Sequence, residues 1–125
     1  RIYEEKIDAP NRGIIFAGNI KLKAGANIKF LLSGRGIKTG YGIEAGDGIK
    51  AGQDIEAGDG IKAGWGIKAG CGIKAGYDIK AGKDFCVFAG LNIKKSEWPI
   101  FAVVTAKEKP TNLISGYWKQ RENTL

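Results

Sequence analysis

Tyr41, Asp47, Asp59, Trp65 and Tyr77 are the side chains of this 125-residue chain best placed for recognition, because each directly follows a glycine in a repeated unit. Aromatic rings on rigid corners are contact anchors, offering large apolar area at little entropic cost. A second set is cationic: Arg35, Lys50, Lys68 and Lys83. Basic groups interleaved with aromatics are what single-strand nucleic-acid binders use. Covalent and acid–base chemistry has little to work with. Histidine is absent, and the two cysteines, Cys71 and Cys86, form no C-x-x-C pair and have no base placed beside them. A zinc site lacks ligands, and the aspartates of Gly46-Asp47-Gly48 and Gly58-Asp59-Gly60 lack the companions calcium needs. The strings Gly34-Arg35-Gly36 and Gly40-Tyr41-Gly42 have no strand–helix context of a phosphate loop. The expectation is a protein that is not an enzyme, with no cofactor and no metal.

The frame that must carry these side chains is a run of eight hexapeptides from Ile37 to Asp84, each reading I-x-A-G-x-[G/D], with Thr39 the one exception at the alanine place. Such a period marks a β-solenoid. In Ile43-Glu44-Ala45 the alternation of a strand turns Ile43 and Ala45 inward and Glu44 to water. The invariant fourth-place glycine is expected at a corner with positive φ, and the sixth place, Gly or Asp, tolerates turns. Three hexapeptides close a triangular coil of about 18 residues, and stacking at ~4.8 Å sets each residue over its equivalent one coil earlier.

The expected inward columns are Ile37–Ile55–Ile73, Ile43–Ile61–Ile79 and Ile49–Ile67–Phe85, with Val87 in the column of Ala51 and Ala69. The outward columns are Lys38–Glu56–Lys74, Glu44–Lys62–Lys80 and Lys50–Lys68–Cys86; the third carries uncompensated lysine. The corner columns are Tyr41–Asp59–Tyr77, Asp47–Trp65–Lys83 and Gln53–Cys71. Cys71 and Cys86 fall about three residues short of one coil, roughly 10 Å along the strand. That is too far for a disulfide, so both thiols are expected free.

Wider, more apolar units bracket the array: Ile20–Asn27 and Ile28–Gly36 before it, Phe85–Asn92 after it. Terminal solenoid repeats are atypical because they cover the open core. The organisation expected is an N-terminal arm or first strand over 1–13, the solenoid over 14–92, and C-terminal cap strands over 93–125, among them Pro99–Ala106 and Leu113–Trp118. The fold class is an all-β, single-domain β-solenoid (a triangular parallel β-helix) of about four to five coils with atypical terminal strands.

The chain resembles hexapeptide-repeat β-helix proteins over about residues 14–92, and more loosely the triangular solenoids of polymer-forming bactofilins. The first likeness leaves the subgroup unassigned. The acyltransferases of that class use a catalytic histidine, and they place a small residue two before the aliphatic, whereas here Ala comes two after Ile. The second likeness implies structural self-assembly.

With 20 Lys+Arg against 13 Asp+Glu the chain carries a formal charge of +7, which favours an anionic partner. No apolar run approaches the ~20 residues a membrane span requires, and free thiols point to a reducing, cytoplasmic compartment. The chain begins at Arg1, so a missing native N-terminus or leader is left open. Three functions follow as expectations. The first is a non-catalytic protein-binding or scaffold module working through Tyr41, Trp65, Tyr77, Asp47 and Asp59 and the apolar terminal strands. One form of it is a small inhibitor, for instance phage-encoded or carried by a mobile element, that occupies a partner's surface. The second is binding of nucleic acid or another polyanion through Arg35, Lys50, Lys68 and Lys83. The third is self-assembly, a homo-oligomer formed through the terminal strands.

Overall fold

The computed structural model describes residues 6–121 and the backbone of 2–4. Strands β1 to β15, in chain order, stack in parallel into a β-solenoid of about six turns, more than the four to five expected, because both flanks add strands to the stack. The first face comprises β1 (Ile2–Glu4), β3 (Ile20–Leu22), β5 (Ile37–Thr39), β8 (Ile55–Ala57), β11 (Ile73–Ala75), β14 (Val103–Thr105) and β15 (Tyr117–Trp118). The second holds β6 (Ile43–Ala45), β9 (Ile61–Ala63) and β12 (Ile79–Lys80); the third holds β7 (Ile49–Ala51), β10 (Ile67–Ala69) and β13 (Val87–Phe88). The second and third faces join into one sheet because β4 (Ala26–Ser33) pairs with β6 through Ala26–Ile28 and with β7 through Leu31–Ser33. Its corner is Lys29-Phe30, without glycine, so the strand bends without breaking. β2 (Ile7–Phe16) follows β4 around the same bend, with an irregularity between Ala9 and Gly13 that spans Pro10. Proline lacks a ladder N–H and is tolerated at such bulges.

The first seven hexapeptides each make a three-residue strand with its first and third residues buried and the residue between them turned out, and the eighth makes the two-residue strand Ile79–Lys80. The isoleucine columns run Ile37–Ile55–Ile73 and Ile43–Ile61–Ile79. Thr39, buried at an alanine place, satisfies its hydroxyl by donating to Tyr41 O at 2.8 Å. The outward columns Lys38–Glu56–Lys74 and Glu44–Lys62–Lys80 also keep the expected register. The ion pair Lys80–Asp78, at 3.5 Å, joins chain neighbours instead of successive coils.

Other expectations are corrected. The third column continues from Ile49 and Ile67 to Val87, not Phe85. A turn in which Phe85 N–H donates to Gly82 O at 2.9 Å uses two additional residues. Val87 is consequently buried over Ile67 and Phe85 is turned out, 43% exposed, while Phe88 instead of Cys86 stands over Lys68.

The fourth-place glycines do not have positive φ; among the described residues Gly90 and Gly116 do, at 73° and 97°. Contact between coils explains the glycine at every fourth place except Gly46. A Cβ on Gly58, Gly64, Gly70, Gly76 or Gly82 would overlap the carbonyl oxygen of the corner glycine one coil earlier.

Pro99–Ala106 is not one strand. A 3₁₀ turn (Lys95–Glu97) leads into the helix α1 (Trp98–Phe101), whose first turn accommodates Pro99, and only Val103–Thr105 joins the sheet. Leu113–Trp118 narrows to β15, with Leu113 bridging to Val87.

The glycine contact yields a matched pair of variants. Gly64→Ala should lose roughly 1–3 kcal/mol, the usual cost of overpacking. Gly46→Ala, where the nearest atom to an added Cβ is Lys29 O at 3.8 Å, should stay within about 0.5 kcal/mol of the parent or gain slightly. Denaturant unfolding of the two measures the difference directly.

Candidate binding groove on the third face

Outward alternation on the third face generates one column from five coils: Ile15, Leu32, Lys50, Lys68 and Phe88. The corner leading into that face adds a second row of Phe30, Asp47, Trp65 and the Asp84–Cys86 segment. Between the rows lies a groove of about 510 Å³. Its irregular ends supply Phe30, Leu32, Phe85 and Phe88, and Lys50 and Lys68 project from the column between them. Phe30 has room because Gly13 lies beneath it: a Cβ there would overlap the Phe30 ring. Trp65 and Phe85 stack with centroids 6.1 Å apart and planes 20° apart. Lys68 Nζ sits 5.8 Å from the centroid of the Phe88 ring, a cation–π contact. Asp47 and Asp84 line the same groove, so its four formal charges balance as two lysines against two carboxylates.

Of the residues singled out from the sequence, Trp65, Asp47, Lys50 and Lys68 come together here. Tyr41, Asp59 and Tyr77 share a different edge, between the first and second faces, where Tyr77 N–H donates to Asp59 O. Lys107 Nζ covers the Tyr77 ring at 5.2 Å, and Tyr41 and Asp59 border a separate depression of about 750 Å³ with Glu44, Lys62 and Asp78. Lys83 lies on the corner row and Arg35 on the opposite edge of the third face, where its carbonyl accepts from Gln53 N–H; neither lines the groove.

Phe30, Leu32, Phe85 and Phe88 were not foreseen as site residues. For the first two a signal existed: Phe30-Leu31-Leu32 is one apolar run, and strand alternation cannot turn all three inward. Phe85 and Phe88 depended on the two-residue turn that resets the register.

Both cysteines are free thiols, as their spacing implied, and each is half-buried. Cys86 lines the groove. Cys71 stands on another corner, where burial first, and the nearby Asp54 carboxylate second, push its pKa above the ordinary thiol value. Asp54 itself is held by the Gly72 N–H, which donates to Oδ1 at 2.8 Å. Among the described residues no group of three or more potential ligands is clustered to hold a metal, and no helix is long and apolar enough to cross a membrane. Comparison with protein families, curated proteins and solved structures finds no match for the chain. The groove offers apolar side chains at two ends, exposed ammonium groups between, and a stacked aromatic wall.

Cys71 provides a pH test of the local electrostatics. In a Cys86→Ser background, alkylation by iodoacetamide should reach half its maximal rate above the pH typical of a free thiol, since only the thiolate reacts. Asp54→Asn removes a charge that opposes the thiolate, so the profile should move to lower pH without reaching the free-thiol position, because burial remains. An unmoved profile would show that Asp54 does not act on the thiol.

Proposed function

We propose that the protein is a non-catalytic protein-binding module whose third face is the docking surface. The observation that carries this reading is the meeting, in one groove, of Phe30, Leu32, the Trp65–Phe85 stack and Phe88 with Lys50 and Lys68. Aromatics with apolar neighbours at the centre of a surface are the residues that dominate protein interfaces. The solenoid frame supports the same reading, since it holds these side chains on paired backbone and lets them bind with little ordering cost.

Charge favours a protein over a polyanion. A phosphate-tracking surface relies on unopposed cations, whereas Asp47 and Asp84 balance the two lysines. A partner with mixed apolar and charged groups matches that composition better than a polymer with one charge per unit. Occupying a partner through such a face is also how a small inhibitor would act.

The test is affinity capture from source-cell lysate, divided into nuclease-treated and untreated halves and read by mass spectrometry. A protein recovered equally from both halves, and depleted about tenfold or more by Trp65→Ala or Phe88→Ala, is the expected result. Tyr41→Ala, on the other edge, should leave recovery unchanged. Recovery that disappears with nuclease and falls steeply with salt would replace this reading with polyanion binding through the lysines.

A further inference from the structure

The order of side chains along the groove carries information about what lies in it. Leu32, Lys50, Lys68 and Phe88 occupy a single outward column on β4, β7, β10 and β13. Three inter-strand steps of ~4.8 Å set its apolar ends roughly 14 Å apart, with the two lysines at about 5 and 10 Å. An extended peptide laid along the column advances ~3.4 Å per residue and turns alternate side chains to the same face. Its first, third and fifth side chains therefore fall at about 0, 7 and 14 Å. The first and fifth meet Leu32 and Phe88, and the third falls midway between Lys50 and Lys68.

We infer that the groove receives an extended segment of a partner protein with the pattern apolar–x–acidic–x–apolar, its central carboxylate shared by Lys50 and Lys68. Charge complementarity commits the occupant. Both lysines are exposed, and among the described residues neither has an ion-pair partner within the structure. Asp47 and Asp84 belong to the corner wall and repel an acidic side chain that turns toward them, so the carboxylate must point at the column. An aromatic fifth residue fits best, because Phe88 and the Trp65–Phe85 stack surround that end. This inference rests on the protein-binding reading of the groove and specifies the partner's chemistry.

The experiment is fluorescence polarisation with fluorescein-labelled, end-capped pentapeptides. The probe has leucine first, glutamate third, phenylalanine fifth and serine between. Its comparators carry glutamine third, or glutamate moved to the second position. The glutamate-third peptide should bind at least threefold more tightly than either comparator, a margin in keeping with two exposed charge contacts. In the Lys50→Gln/Lys68→Gln double variant that difference should vanish. Circular dichroism confirms that the variant keeps its strands, since both side chains face solvent. Equal binding of all three peptides overturns the inference. So does failure of every peptide to bind while Phe88-dependent capture of a protein persists, which leaves the groove reading standing. Failure of both peptide binding and Phe88-dependent capture overturns the two together.

Discussion

The whole structure depends on how closely one coil's corner can approach the next. The carbonyl oxygen of each fourth-place glycine lies where a Cβ of the following coil's glycine would be, at Gly40–Gly58–Gly76, Gly46–Gly64–Gly82 and Gly52–Gly70. That approach lets the hydrogen-bond ladder continue around the corners: Gly58 N–H donates to Thr39 O at 3.0 Å, Gly64 N–H to Ala45 O at 2.9 Å and Trp65 N–H to Asp47 O at 3.1 Å. Backbone paired through the bends is stiff, and burying it unpaired would be costly. Uniform corners also set a uniform rise, so isoleucine stacks on isoleucine and the fifth-place side chain is always turned outward.

Regularity of this kind makes a rod and no particular site. The groove arises where the repeat is interrupted at both ends of one face. Toward the N-terminus, β4 crosses a corner without glycine and turns Phe30 and Leu32 outward. Toward the C-terminus, the turn at Gly82–Phe85 advances the chain by two residues and does the same for Phe85 and Phe88. Two ordinary repeats between them contribute Lys50 and Lys68. The cap then closes the core: Ser115 Oγ donates to Ala89 O at 2.6 Å, and Arg121 reaches back to Gly76 O at 2.7 Å.

The solenoid, its three faces and most of its columns were legible in the hexapeptide, because a strict period leaves one way to stack it. The lysine column and Trp65 were legible for the same reason. The reason for glycine at the fourth place was not, since a positive-φ corner and a close inter-coil contact select the same residue. Phe85 shows the other limit. A column drawn by constant spacing places it in the core, and nothing in Lys83-Asp84-Phe85-Cys86 states that the chain makes a turn before resuming the coil. The same holds for Pro99, which is compatible with a strand end and with a helix start; the indole of Trp98 donating to Ile93 O at 3.1 Å fixes the second.

The groove depends on the register of β13 against β10, because that offset decides whether Phe85 and Phe88 build it or fill the core. Nuclear Overhauser contacts in a methyl- and aromatic-labelled sample read it directly. The structure predicts contacts between the Ile67 and Val87 methyl groups and between the Lys68 side chain and the Phe88 ring, with Phe85 close to Trp65. Contacts from Ile67 to the Phe85 ring, with Val87 beside Ala69, would contradict it and remove the groove's C-terminal wall.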